Sequence, residues 1–128
     1  MTKRAVVRQE RGWGGHFICA ERCLFRRNTL LTCDDTKIVV STVGLMRARD
    51  EKGFDEIGYR RYYETMAFHA TATDTKYHDA DVSRQVYFSS PWAIDRLDAD
   101  NEANDMHEIV VKEISERLIE GELFELVP

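Results

Sequence analysis

The sequence predicts an α+β protein, an antiparallel β-sheet meander with one long C-terminal helix packed on one face. Segments rich in β-branched and aromatic residues fill most of the chain. Short charged or turn-forming segments separate them. The last quarter instead carries apolar residues at helical spacing. Strands followed by a helix are typical of the α+β class, and 128 residues suit a single domain, 1–128.

The first half of the chain predicts three strands. A short strand is expected at 3–9, and a longer β-like stretch follows at 16–33, although its middle can instead form a helical turn. Asp34 and Asp35 indicate a turn. The segment 36–47, TKIVVSTVGLMR, is the clearest strand because it is rich in β-branched residues.

Two more strands are expected after a charged loop at 49–58. The first is 59–72, whose alternation predicts two faces, one carrying even-numbered residues such as Met66 and Phe68. After a polar loop, 82–90 forms the second, and Pro91 ends it. We expect the helix to cover one face of this sheet. The residues predicted beneath it are Val40, Met66, Phe68, Val86 and Phe88.

A helix is predicted from Asp100 or Asn101, either of which can cap its first turn. Glu102 and Asp105 add negative charge near that end, where the helix dipole favours it. Gly121 is a suitable C-terminal stop. Apolar residues at helical spacing form the predicted buried stripe; they are Met106, Ile109, Val110, Ile114 and Leu118.

Charge is distributed unevenly. Residues 1–31 hold seven basic and two acidic residues, a net of +5, whereas residues 95–128 hold three basic and eleven acidic residues, a net of −8. The basic end can attract a phosphate ligand, and the acidic end would repel duplex nucleic acid. With no apolar run of 18 residues and no signal-peptide pattern, we expect no membrane span and a cytoplasmic protein.

The stretch 11–28, RGWGGHFICAERCLFRRN, concentrates residues that can bind metal. His16, Cys19, Cys23 and Cys33 offer four zinc ligands, but without the usual C-x2-C spacing. On an extended strand Cys19 and Cys23 would lie roughly 13 Å apart, too far to share an ion. We therefore predict free, partly buried thiols, no metal and no cofactor. Three cysteines, an odd number, also argue against a disulfide framework.

Catalytic signals are weak. Cys19 or Cys23 with His16 could form a thiolate pair near Arg22, yet no base-orienting partner is evident. The serines at 89–90 lack a G-x-S-x-G elbow, and the chain has no phosphate-binding glycine motif. The prediction is a binding protein, not an enzyme.

Phosphate or nucleotide binding is the most coherent interpretation of the basic stretch. Arginine provides planar donors for bidentate phosphate contacts, aromatic rings stack on bases, and polar side chains can read a base edge or a ribose. A pocket between two subunits could combine these groups with a helix N-terminus. The alternative is that the arginines are surface residues, some paired with the acidic helix. The candidate ligand-binding residues are Trp13, His16, Arg22, Phe25, Arg26, Arg27, Asn28, Arg60, Arg61, Tyr62, Asp98 and Asn101.

Three segments carry a resemblance: VSTVG at 40–44, ETMAF at 64–68, and the helical pattern from Glu102 to His107. Together they resemble a family of small accessory proteins common in bacteriophages and prophages. The likeness runs from residue 36 to the C-terminus and leaves out the basic stretch. These proteins are similar to phage anti-defence proteins that sequester signalling nucleotides, notably those that counter the Thoeris system.

The resemblance implies a homo-oligomeric α+β protein, dimeric or larger, in the cytoplasm of a bacterial host. It also implies capture of a cyclic or ADP-ribose-derived signalling nucleotide without chemistry. Open sheet edges, which invite pairing between copies, favour the oligomer independently. The alternative function is an acidic, protein-binding inhibitor of a bacterial defence complex, of the anti-CRISPR or anti-restriction type.

Overall fold

The structure is a computed structural model that describes residues 4–11, 16, 20–50, 52–73, 76–122 and 124. Its strands form one antiparallel sheet in the order β1-β2-β3-β5-β6, with β4 paired to β3 and β7 paired to β5. A single turn of 3-10 helix, Ala20–Arg22, precedes β2. The elements are β1 Val7–Arg11, β2 Cys23–Cys33, β3 Thr36–Arg47, β4 Phe54–Asp55, β5 Tyr63–Ala70, β6 Ala80–Val86, β7 Ala93–Ile94 and α1 Asp100–Ile119.

The predicted α+β class is confirmed, as are the turn at 34–35 and β3. The middle of the 16–33 stretch forms a helical turn, and β2 begins only at Cys23. The first strand lies later than predicted because β1 pairs with β2 from Val7↔Thr32 to Arg11↔Asn28. The predicted strand 59–72 begins at Tyr63, after a turn that Arg60 enters with φ +56°.

The N-terminus of α1 differs from its prediction. The N-cap is Ala99, whose own side chain makes no capping hydrogen bond, so the assignment of Asp100 or Asn101 was wrong. Tyr63 on β5 takes the role instead: its hydroxyl accepts the Ala99 N–H at 3.0 Å and donates to Asp100 Oδ1 at 2.7 Å. Burial and the Asp100 carboxylate raise the pKa of Tyr63 to about 12.

The helix α1 stops just before Gly121, the residue predicted to end it. This glycine has φ +81°, which a residue without Cβ adopts at little cost. The N–H of Glu122 donates to the Arg117 carbonyl and the N–H of Gly121 to the Leu118 carbonyl, both at 3.0 Å. These two bonds define a Schellman motif and satisfy carbonyls that the helix leaves open.

The buried stripe of α1 contains Ala103, Met106, His107, Val110, Val111, Ile114 and Leu118. The prediction that Ile109 belongs to this stripe is wrong, since 51% of its surface is exposed. At 100° per residue it lies roughly 140° around the helix from the centre of this stripe. Within the described part of the chain, no helix combines the length and the apolar character needed to cross a membrane.

The main core lies between α1 and one face of the sheet. Val40 and Val86 belong to it and Phe88 packs against it, as predicted. Met66 and Phe68 were wrongly placed there. Ala67 faces the helix, so strand alternation directs its two neighbours to the opposite face, which we call the open face.

Candidate functional site

A cavity of about 700 Å³ lies where β3 leaves the sheet and β2 enters it. We call it the arginine pocket. Its lining residues are Glu21, Arg22, Cys23, Leu24, Arg26, Arg47, Ala48 and Arg49. Four arginines and one glutamate give it a formal charge of +3, in a protein whose net charge is −5.

The β2–β3 hairpin brings these arginines together. Its two-residue turn at 34–35 places Cys33 opposite Thr36, and the register carries through to Cys23 opposite Met46. Residues just before β2 therefore lie beside residues at the end of β3. The 3-10 turn contributes Arg22 and β2 contributes Arg26, while β3 contributes Arg47.

The four guanidinium groups differ in their contacts. Arg22 donates to the carbonyl of Arg47 and lies 3.8 Å from an Asp55 carboxylate oxygen. No hydrogen bond or ion pair to the side chains of Arg26, Arg47 or Arg49 is found among the residues that the structure describes. Three planar cations in one cavity can accept a phosphate-bearing anion through bidentate hydrogen bonds.

Two predicted residues on β2 face away from this pocket. Phe25 is buried in the core on the helix side, where its ring meets Tyr63 edge-on at 5.7 Å. Arg27 lies on the same side and forms an ion pair with Glu10 at 2.7 Å, with Glu108 at 3.8 Å. Strand alternation separates both from Arg26. The expectation that some arginines pair with the acidic helix thus describes Arg27.

A hydrogen-bonded row on the open face holds two more predicted residues. His16 is buried; its Nε2 lies 2.7 Å from Glu64 Oε1 and its Nδ1 lies 3.1 Å from Ser41 Oγ. Arg61 donates from Nε to Glu64 Oε2 at 3.0 Å. Burial alone would raise the pKa of Glu64, but the contacts with His16 and Arg61 hold it below its usual value.

The order Ser41–His16–Glu64 is that of a serine, histidine and acid triad. Ser41, however, lies on the central strand β3 and has no exposed surface. A substrate carbonyl cannot reach its hydroxyl in this conformation. The row instead ties residue 16 to β3 and β5, four residues before the 3-10 turn that forms one wall of the arginine pocket.

Asn28, predicted to read a base edge or a ribose, is buried on the open face. Its Oδ1 accepts a hydrogen bond from Arg11 Nε at 2.8 Å. Arg11 also donates from Nη1 to the carbonyls of Tyr77 and His78. The hydrogen bonds of Arg11 therefore join β1 to Asn28 on β2 and to the loop before β6.

The remaining predicted residues lie outside the pocket lining. Arg60 stacks on Tyr59 with 5.3 Å from its Cζ to the ring centroid, and Arg61 stacks on Trp92 at 5.0 Å. Tyr62 is partly buried against the helix-side core. Asp98 and Asn101 are exposed, before α1 and in its first turn respectively. Trp13 lies outside the described residues.

Sequence reasoning missed Glu21, Leu24, Arg47 and Arg49. The signal for Arg47 was available, because a two-residue turn at 34–35 sets a register in which paired residue numbers sum to 69, as Cys33↔Thr36 shows. That register places position 22 opposite position 47.

A second feature that the sequence reasoning missed is a buried polar network between sheet and helix. His107, predicted to lie near the edge of the buried face, has no exposed surface. Its Nε2 lies 2.7 Å from Thr29 Oγ1 and its Nδ1 lies 2.7 Å from Thr42 Oγ1. Burial, followed by the charge of Arg27, lowers the pKa of His107 to about 4. The helical period places position 107 between Ala103 and Val110 on the buried stripe, which was the available signal.

Metal ligation finds no support among the residues with described positions, where no three His, Cys, Asp or Glu side chains are grouped to hold an ion. Cys23 and Cys33 are buried at opposite ends of β2. Ten residues of strand separate them by about 33 Å. Cys19, the third cysteine of the zinc alternative, lies outside the described residues.

The fold and the pocket define an α+β protein with a helix on one sheet face and an arginine-lined cavity where β2 begins and β3 ends. In comparisons with known proteins, no family model, no curated protein and no solved structure matches the chain.

Proposed function

We propose that this protein binds a phosphate-bearing small molecule in the arginine pocket and leaves it chemically unchanged. The observation that carries the proposal is the set of three guanidinium groups, on Arg26, Arg47 and Arg49, in a cavity of about 700 Å³. Pockets of roughly 300–1,000 Å³ hold small ligands and cofactors. Arginine pairs favour phosphate because the guanidinium fork matches two phosphate oxygens.

The finer proposal is that the ligand is a cyclic or ADP-ribose-derived signalling nucleotide, sequestered by a phage-type anti-defence protein in the cytoplasm of a bacterial host. Its support is the resemblance carried by residues 40–44, 64–68 and 102–107, together with the charge of the pocket. Sequestration needs a tight site and no catalytic group. Among the described residues, the pocket lining offers donors for phosphate and contains no histidine or serine.

Thermal unfolding and calorimetric titration with pyrophosphate, ADP-ribose and a cyclic dinucleotide test the proposal. A ligand present at 100 times its Kd should stabilise the native protein by about 2.7 kcal/mol. The double variant Arg26→Ala/Arg47→Ala should lose this shift. Lys112→Ala is the control, since it removes one positive charge from an exposed helix position remote from the pocket lining.

Absence of any shift with all three anions would overturn the binding proposal. If the Lys112→Ala variant lost the ligand-induced stabilisation to the same extent, the effect of the arginine substitutions would be one of net charge alone. Release of bound nucleotide by heat, followed by mass spectrometry, separates sequestration from catalysis. Recovery of a cleaved product would identify an enzyme.

We also propose that two or more copies associate. The strands β1 and β6 form the two ends of the sheet order, and each exposes an apolar side chain, Val7 on β1 and Val82 on β6. Such edges are suited to strand pairing between copies. Light scattering after size-exclusion chromatography should give a mass of at least twice 14.9 kDa, and a mass equal to one chain would contradict this proposal.

The alternative, an acidic inhibitor, would have to use carboxylates that the chain itself leaves available. Glu108 pairs with Arg8 at 2.8 Å, and Glu113 accepts hydrogen bonds from Ser90. Asp105 and Glu116 are the exposed helix acids to reverse first, because no hydrogen bond or ion pair of their side chains is found among the described residues. Loss of anti-defence activity in Asp105→Lys/Glu116→Lys, with nucleotide binding intact, would favour the inhibitor.

A further inference from the structure

We infer that Glu21 determines the specificity of the arginine pocket: it selects ligands that carry hydroxyl or amino groups beside their phosphates and disfavours bare phosphate chains. This inference rests on the proposed function, since it concerns the same pocket. It adds what the arginines alone do not specify, namely how the pocket distinguishes one polyanion from another.

The position of Glu21 is held from both sides. It lies on the 3-10 turn Ala20–Arg22. Before it, His16 is hydrogen-bonded to Glu64 at 2.7 Å, and after it Arg22 donates to the carbonyl of Arg47. Contacts to β5 and β3 therefore flank the turn, and Glu21 is one of the residues that line the cavity.

Glu21 is exposed, and its carboxylate makes no ion pair with the pocket arginines within the part of the chain that the structure describes. An ionised carboxylate only accepts hydrogen bonds. Beside a phosphate it adds repulsion and so weakens binding of a bare phosphate chain. Beside a hydroxyl or an amino group it gains a charge-assisted hydrogen bond.

The rest of the lining fits a ligand of the same mixed chemistry. Arg26, Arg47 and Arg49 supply enough donors for two phosphate groups. Leu24 lies in the lining and is 55% exposed, which offers apolar surface to a ring. A diphosphate bearing a hydroxylated sugar and a ring would use the arginines, the Glu21 carboxylate and the apolar surface of Leu24. Pyrophosphate would use the arginines alone.

The test compares three probes that share one diphosphate: pyrophosphate, ADP and 2′,3′-dideoxy-ADP. Calorimetric titration with a chelator present measures Kd for the native protein and for Glu21→Gln. The native protein should bind ADP about tenfold more tightly than the dideoxy compound, the ratio that one hydrogen bond to a charged group supports. In Glu21→Gln this ratio should fall toward one, while pyrophosphate should bind more tightly.

Glu116→Gln is the matched control, because it removes the same charge from the helix and should leave all three affinities and their ratios unchanged. An equal gain of Glu21→Gln for all three probes would show general repulsion and overturn the inference while leaving phosphate binding in place. If the ratio of the ADP and dideoxy-ADP affinities were the same in Glu21→Gln as in the native protein, the inference would also be overturned, with phosphate binding left in place. Failure of the native protein to bind any of the three would overturn both this inference and the proposed function.

Discussion

Acid should destabilise this protein through His107, because its hydrogen bonds require a neutral ring. Thr29 donates its hydroxyl proton to Glu10 Oε2 at 2.7 Å, so its oxygen is left to accept from His107 Nε2. Nδ1 must then accept from the Thr42 hydroxyl, whose oxygen in turn accepts from Thr65 at 2.6 Å. A second proton on the ring, at Nδ1, would point at the proton of the Thr42 hydroxyl, and this hydrogen bond would be lost.

The magnitude follows from the pKa of His107, which burial lowers from 6.5 to about 4 in the folded protein. A depressed pKa means that the stabilisation is complete above pH 6.5 and is lost as the pH falls through 6.5 toward 4. For a pKa that falls from 6.5 to about 4 on folding, the limiting loss is about 3 kcal/mol. Between pH 7 and pH 5 the same relation gives a loss of about 2 kcal/mol.

Urea unfolding at pH 7, 6, 5.5 and 5 measures this loss. His107→Gln should be less stable than the native protein at pH 7, because its side chain does not reproduce both ring contacts. Its free energy of unfolding should also vary less with pH over this range. Burial also lowers the pKa of His69, so His69→Gln serves as the control and should keep most of the slope. Equal slopes in the native protein and His107→Gln would refute the argument.

Three further substitutions test a close side-chain contact, a backbone conformation and a pair of hydrogen bonds. Gly44→Ala should cost about 1–3 kcal/mol in urea unfolding, since a methyl group there would overlap the Tyr63 ring; a neutral result would mean that the ring moves freely. Gly121→Ala should lower the stability by about 1 kcal/mol because φ is +81°, and an unchanged melting temperature would contradict the strain. Glu113→Gln should cost about 1–2 kcal/mol, because Glu113 accepts the Ser90 N–H and hydroxyl at 2.9 and 2.6 Å; Glu116→Gln, measured alongside, should be nearly neutral.

The site was only partly predictable, for reasons of geometry. Arg22 and Arg26 were identified from composition, and both line the cavity. Phe25 and Arg27 came from the same pattern, yet they face the helix. Composition counts residues in a stretch, whereas a strand sends alternate residues to opposite faces. Arg47 is distant along the chain and joins the pocket only through the hairpin register.

The buried faces show the same limit. Strand alternation grouped Met66 with Phe68 correctly, but it could not say which of the two faces of β5 the helix would cover. Packing of Ala67 against the helix-side core decided it. Likewise, asparagine and aspartate near position 100 suggested a side-chain cap, whereas the hydroxyl of Tyr63, on β5, accepts the N–H of the N-cap residue.

By itself, the sequence determined the class of fold, the bounds of β3, the turn at 34–35 and the glycine that ends α1, because each depends on the conformational preferences of neighbouring residues. Only the tertiary structure decided which face of the sheet is covered and which arginines share a cavity. It also decided that His107 is held neutral in the core. The hairpin register follows from the turn and places position 22 opposite position 47. The face that the helix covers and the side chains that share a cavity depend instead on packing between elements that are distant in sequence, which no local pattern specifies.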